Sequence, residues 1–281
     1  MSVKPIVAGT DGSEQSLRAV EWAAREARLR GLPLRIVSAA ELLPRMVERH
    51  SIAEYDTVAD ALQHNRARAL AAAVARAASI EPDVPVDTGE LRGPAAQAVT
   101  DSGSGAAMLV VGSHGGGAFS AMLLGSVSRY AATHASCPVA VVREESGAAH
   151  RQVGIGIADP DDCAAALEFA FEAAALRNAT LVAVHAWRDW GSTNMTQSSE
   201  ADAAQRLEAA LAQWQAKYPS VEVHKDVMPG HPARALAGLS ARADLVVLGR
   251  HARHGGVPGV ARVTHAVLNH AHGPIVTVPS A

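Results

Sequence analysis

Short apolar runs alternate with longer stretches of helical periodicity along this chain. The run Ile6–Gly9 is apolar throughout and ends in glycine, which predicts a buried strand. Ser13 then stands where a helix cap is needed. Leu17, Val20, Ala24 and Ala27 fall on one face of the helix that follows, with Arg18, Glu21, Arg25 and Arg28 on the other. Gly31 and Pro33 stop that helix, and Leu34–Ala39 predicts a second strand. An Ala/Arg-rich helix is expected over roughly 56–78, then a third strand of alternating character over Val84–Glu90. Pro94 opens the next helix at its first turn, where a missing N–H costs little. Met108–Val111 reads as a fully apolar strand, Ser126–Ala135 as a helix and Val139–Val142 as the closing strand.

The same string of elements then occurs again. Gly9 falls on Gly156, Trp22 on Phe169 and Leu34 on Leu181 without a gap. Further on, Gly93, Val111 and Gly112 match Gly230, Leu248 and Gly249, and Pro138 matches Pro274. The spacing changes in the variable region between about Glu41 and Ile80. Strands of the second copy are expected near Val153–Ile157, Leu181–Ala186, Val221–Val227, Leu245–Leu248 and Ile275–Val278. The polar stretch from Arg143 to Gln152 breaks the periodicity and marks the boundary, giving domains over 1–145 and 150–281.

Strands apolar on both faces, alternating with helices, indicate parallel sheets covered on both sides. The expected fold is therefore α/β, two tandem doubly wound parallel-sheet domains of Rossmann-like type. The terminal strands Val139–Val142 and Ile275–Val278 are apolar edges, and an association of the two copies through them is expected.

Composition narrows the function. A net charge of −3 supplies no basic stripe, so nucleic-acid binding is a poor fit. The two cysteines, Cys137 and Cys163, form no CxxC and suit a reducing compartment as small apolar side chains. The opening residues carry far too short an apolar run for a signal peptide, and no apolar span approaches a membrane helix, so a cytoplasmic location is expected.

In open α/β sheets ligands bind beyond the carboxyl ends of strands, so the residues just after each strand carry the information. After the first strand comes Gly9-Thr10-Asp11-Gly12-Ser13. After the fourth comes Gly112-Ser113-His114-Gly115-Gly116-Gly117, and later Gly125-Ser126-Val127-Ser128. Glycines let a backbone approach phosphate oxygens and aim consecutive N–H groups at them. The helix near Ser126 adds orphan N–H donors and a positive dipole end, worth about 0.3–1 kcal/mol per charge at an exposed site. Ser126 and Ser128 can add hydroxyl donors. Asp11 can accept from a ribose hydroxyl or an adenine edge, or serve as a simple turn or cap residue. There is no Walker A pattern, and Gly154-Ile155-Gly156 lacks the third glycine of GxGxxG, with Asp159 in its place.

The spacing Gly112-x2-Gly115-x9-Gly125-Ser126, between an apolar strand and a helix leading to Cys137-Pro138-Val139, resembles the ATP-binding branch of the universal stress protein family. Val7-Ala8-Gly9-Thr10-Asp11-Gly12-Ser13 is similar to that family's first strand and adenosine-contacting Asp. The resemblance spans nearly the whole chain as two tandem domains of the adenine-nucleotide α-hydrolase-like kind. It implies ATP as the ligand, with magnesium or manganese as a counterion. Gly9 and Asp11 would line the adenosine end, with Ala39 against the adenine. Val111 and Gly112 would flank ribose and phosphate, and Gly115, Gly125, Ser126 and Val127 would hold the phosphates through backbone N–H groups.

The second copy departs from this pattern. Gly115 has become Ala252, Gly125 has become Arg262 and Ser126 has become Val263, while Asp11 meets Ala158. Crowding at two close-approach positions predicts a degenerate second site, although Arg262 could attract a phosphate. The histidines offer no metal site: His265, His270 and His272 lack i, i+4 spacing, and no carboxylate or thiolate pattern completes one. His114 stands either beside phosphate or in solvent. Trp187, Trp190 and Trp214 read as packing or loop anchors. No Ser-His-Asp order or GxSxG elbow appears, so no catalytic residue is assigned.

The expected function is a nucleotide-dependent regulator in stress adaptation that acts through a protein partner as a homodimer, with at most slow ATP hydrolysis. The word stress comes from the resemblance alone. Two alternatives stand beside it. One is an adenylating or ATP-pyrophosphatase-like enzyme, whose Ser-Gly-Gly-x-Asp-Ser loop Gly9-Thr10-Asp11-Gly12-Ser13 does not match. The other is a nucleotide-free structural or interaction protein, against which the intact first motif argues.

Overall fold

The structure is a computed structural model that describes residues 3–40, 52–115, 124–143, 149–157, 163–186, 200–228, 232–250 and 258–280. The chain divides into two compact units, Met1–Arg143 and Glu144–Ala281. The first contains β1 (Ile6–Gly9), α1 (Glu14–Arg30), β2 (Leu34–Ala40), α2 (Ile52–Ile80) and β3 (Val86–Arg92). It continues with α3 (Ala95–Ser102), β4 (Met108–Gly112), α4 (Ser126–His134) and β5 (Val139–Val142). Its strands are ordered β3-β2-β1-β4-β5, and the pairs β1–β2, β2–β3, β1–β4 and β4–β5 are all parallel.

The order reverses between β1 and β4. Right-handed crossovers therefore put α1 and α2 on one face and α3 and α4 on the other. The packing agrees: α1 lies on α2, and α3 on α4. Every residue of β1, β4 and β5 is buried, as strands covered on both faces require.

Local chemistry explains the element boundaries. Ser13 caps α1 by accepting from Ser16 N–H at 3.3 Å. Gly31 closes it at φ 64°, a left-handed conformation that glycine adopts without strain. Arg76 on α2 bridges to Glu14 and Glu21 on α1, and hydrogen bonding to Glu21 raises the guanidinium pKa above its ordinary value. The third strand begins two residues later than the sequence pattern suggests. Val84 N–H is bound in a turn to Glu81 O, and Pro85 has no N–H to give the ladder.

The second unit repeats the plan with β6 (Gln152–Ile157), α5 (Ala164–Arg177), β7 (Thr180–Ala186), α6 (Glu200–Lys217) and β8 (Val223–Met228). It ends with α7 (Pro232–Leu239), β9 (Leu245–Arg250), α8 (Pro258–His270) and β10 (Ile275–Pro279). Its strand order is β8-β7-β6-β9-β10, with every described pair parallel. The eighth strand also starts late, because Val221 N–H turns back to Tyr218 O. Trp214 packs on Phe171, ring centroids 6.4 Å apart, as the anchor its sequence position suggested. Trp187, Trp190 and Asp159 lie outside the described residues. Cys137 and Cys163 are both buried and unbridged.

The pair Gly154 and Gly156 serves packing. A Cβ on Gly154 would stand 2.6 Å from Leu239 Cδ2 and 3.0 Å from Val246 Cγ2; one on Gly156 would stand 2.7 Å from Leu236 Cδ1. These glycines let α7 sink onto β6. Gly154→Ala is expected to cost about 1–3 kcal/mol through overpacking. Urea denaturation checks this, and an unchanged midpoint would contradict the packing assignment.

Candidate functional site

The carboxyl ends of β1 and β4 part company. Their ladder runs Ile6–Met108, Val7–Leu109 and Ala8–Val110. Beyond it, Thr10 N–H donates to Val37 O on β2 and Ser113 N–H to Val142 O on β5, each at 2.8 Å. Backbone bonding that turns away in opposite directions opens a crevice where the strand order reverses, the general ligand position in such sheets.

The loop after β1 is laced by its own hydroxyls. Thr10 Oγ1 and Ser16 Oγ lie 3.0 Å apart, Gly12 N–H donates to Thr10 Oγ1 at 3.1 Å, and Ser16 Oγ–H donates to Ser13 O at 2.9 Å. Gly12 sits at φ +80°, and a Cβ there would come within 3.0 Å of Ala69 Cβ on α2. Only glycine suits both the backbone and the space. Asp11 is exposed, and its two oxygens differ in employment. Oδ1 accepts from Ser13 N–H at 3.0 Å and from Ser13 Oγ–H at 2.5 Å, an Asx turn. Oδ2 faces Gly115, where an added Cβ would stand 2.7 Å away. The turn reading and the site reading of Asp11 are therefore compatible.

The two described ends of the loop after β4 meet. A Cβ on Gly112 would lie 2.9 Å from Gln15 O, so the strand end rests directly on the first turn of α1. Gly125 is the N-cap of α4 and donates its N–H to Ser113 O at 2.8 Å. The first intrahelical bond of α4 is Arg129 N–H to Gly125 O. The N–H groups of Ser126, Val127 and Ser128 thus have no acceptor within the helix, and the N-cap Gly125 has no side chain to cap them. They present the positive end of the helix dipole at the crevice.

One expectation changes here. Ser128 is buried, and its hydroxyl donates to Gly112 O at 2.6 Å, so it ties the loop to the helix and is not available as a ligand donor. Ser126 is exposed.

The other predicted residues separate into two kinds. Gly115 and Ser126 are exposed, Gly125, Val127 and Ala39 half-buried, all at the carboxyl edge. Gly9 and Val111 are buried beneath it. A Cβ on Gly9 would meet Val99 Cγ1 of α3 at 3.0 Å and Val111 Cγ1 at 3.5 Å. Their side-chain positions shape the floor, and only their backbones could face a ligand. The sequence reading missed the hydroxyl network of Thr10 and Ser16. Its signal was two hydroxyl residues flanking a predicted cap. Ser113 Oγ also lies 2.9 Å from His114 Nδ1, within hydrogen-bond distance.

In the second unit the corresponding helix begins elsewhere. The helix α8 starts at Pro258, so Arg262 and Val263 are its fifth and sixth residues. N–H groups that deep in a helix have intrahelical acceptors. The positions matching Gly125 and Ser126 therefore present no orphan donors. Arg262 itself is exposed. Ala158, His251 and Ala252 lie outside the described residues.

Ser128→Ala removes the strut between Gly112 and α4. The expected cost is about 1 kcal/mol, with faster amide exchange at Gly125. Denaturation together with hydrogen exchange measures both, and unchanged exchange at Gly125 would contradict the strut.

Three comparisons place the chain among known proteins. The sequence pattern of the Universal stress protein family matches residues 2–143 and again 150–279. A universal stress protein of Mycobacterium tuberculosis is 35% identical over 305 residues, covering 96% of this chain and 93% of that one. Another, from Mycolicibacterium smegmatis, is 34% identical over 285 residues, covering 97% and 96%. Among solved structures, a universal stress protein from Archaeoglobus fulgidus superposes over 100% of both chains at TM-score 0.77 with 16% identity, a likeness of fold.

Proposed function

The chain belongs to the universal stress protein family, and from that premise we propose that its first domain binds ATP and its second does not. The observation that supports this most is the convergence of three backbone surfaces at one crevice. These are Gly115 against the Asp11 carboxylate, Gly112 against the first turn of α1, and the uncapped N-terminus of α4. In this reading the start of α4 supplies N–H donors to an anion lying in the crevice.

In this reading Asp11 and Ala39 take the adenosine, with Gly9 and Val111 beneath. Gly112, Gly115, Gly125, Ser126 and Val127 take the phosphates. Magnesium or manganese would accompany the phosphates as a counterion. Asp11 Oδ1 is committed to Ser13, which makes it a poor base for activating water, and hydrolysis is expected to be slow. The protein then acts as a nucleotide-dependent regulator in stress adaptation through a protein partner, as a homodimer. No helix among the described residues is long and apolar enough to cross a membrane.

Gly125→Arg copies the residue of the second domain into the first. The backbone tolerates it, at φ −61°, but a Cβ there lies 3.2 Å from Ser113 O, and the longer side chain is expected to block the crevice. Purified wild type is expected to carry or take up about one ATP per chain, and Gly125→Arg none while melting normally. Binding that survives Gly125→Arg contradicts the assignment of the first domain. A wild type that binds no adenine nucleotide contradicts the function altogether. Asp11→Ala is expected to weaken ATP by about tenfold, the loss of a hydrogen bond to a charged group; calorimetric titration measures it.

A further inference from the structure

We propose that Arg66 on α2 is the specificity residue for the base of the nucleotide, selecting purine over pyrimidine; this rests on the reading of the first domain as an adenine-nucleotide site. Three observations within that domain lead to it.

The first is position. Ala69 packs on Gly12, immediately beside Asp11, and Arg66 lies one helical turn further toward the start of α2. Its Nη1 donates to Leu91 O at 3.2 Å, and Leu91 is the register partner of Ala39. The guanidinium therefore stands at the carboxyl edge of the sheet, level with the residue assigned to the base and one strand further out.

The second is unspent hydrogen-bonding capacity. A guanidinium has five N–H donors and no acceptor. Arg66 directs one to Leu91 O and pairs Nη2 with Glu90 Oε2 at 3.1 Å, while Nε is buried with no hydrogen-bond partner among the described residues. The side chain keeps 16% of its surface exposed, so the remaining Nη protons can reach a ligand. An anchored, planar donor of this kind seeks ring-nitrogen acceptors or an aromatic face.

The third is the internal comparison. From Ile80 and Lys217 at the helix ends to Val86 and Val223 at the strand starts, the two domains align at one constant spacing. At that spacing Arg66 meets Ala203 and Glu90 meets Val227. The copy without the phosphate glycines also lacks this ion pair.

Size supplies the selectivity. Adjacent strands lie about 4.8 Å apart, so a base resting on the end of β2 must extend toward β3 to meet the guanidinium. A two-ring purine has that reach, and a single-ring pyrimidine falls short. Glu90 and the Leu91 carbonyl hold the fork in place.

Calorimetric titration of the full chain with ATP and with CTP tests this, for wild type, Arg66→Ala, Arg66→Lys and Glu90→Gln. Arg66→Ala is expected to weaken ATP by about tenfold and CTP by far less, so the preference for ATP collapses. Arg66→Lys keeps the charge but loses the fork, and is expected to behave like Arg66→Ala. Glu90→Gln is expected to give an intermediate loss. Melting curves without nucleotide show whether each variant folds. If Arg66→Ala lowers ATP and CTP by the same factor, or leaves both unchanged, Arg66 does not read the base. Equal losses that Arg66→Lys restores assign it to phosphate attraction and overturn the proposal. A wild type that binds neither nucleotide overturns the first-domain reading, and this proposal with it.

Discussion

The first domain depends on one close approach of backbone to backbone. At Gly112 the end of β4 lies on the first turn of α1, so near that any side chain would collide with the Gln15 carbonyl. From that contact the rest follows. Strand β4 can end beside α1, its next residue can turn toward β5, and the returning chain at Gly125 can close over it through Ser113 O and the Ser128 hydroxyl. The Gly125 N–H is spent on Ser113 O, while the N–H groups of Ser126, Val127 and Ser128 have no acceptor within α4. Unspent N–H groups at a helix start are the condition that makes such a terminus an anion site.

The second domain keeps the sheet and loses that condition. Its Gly249 is spared such a collision, with Ala166 Cβ 3.5 Å from the position a Cβ would take. Its final helix starts early enough to consume the N–H groups that its counterpart leaves open. The remaining glycines of its first strand, Gly154 and Gly156, admit Leu239 and Leu236. Duplication has preserved the core and changed the rim, which fits a core governed by packing and loops free to vary. The two copies of one fold are therefore expected to divide labour, one binding nucleotide and the other holding its shape.

Much of this was legible in the sequence. Strands apolar on both faces, and a repeat anchored at Gly9 and Gly156, gave the tandem α/β architecture because burial periodicity survives without knowledge of neighbours. The spacing of Gly112, Gly115 and Gly125 pointed to the chain after β4, and the structure puts these glycines at the carboxyl edge of the sheet. Ser128 misled, since a hydroxyl near a helix start can face either a ligand or its own loop, and only the fold decides. Strand β3 starts after Pro85 because a local turn at Val84 outranked the alternating pattern. Arg66 could not be read at all. Its partners, Glu90 and Leu91, are remote in sequence, and on an Ala/Arg helix nothing marks one arginine among several until the register of β2 and β3 is known.

The central claim is that the nucleotide sits in the first domain and not in the second. Photolabelling of the full chain with an azido-adenine ATP analogue, followed by mapping of the labelled peptides, tests it most directly. The account predicts labelling that saturates near one per chain, is displaced by unlabelled ATP and falls on peptides within residues 1–143. Displaceable label on peptides of the second domain, or none anywhere, would contradict it.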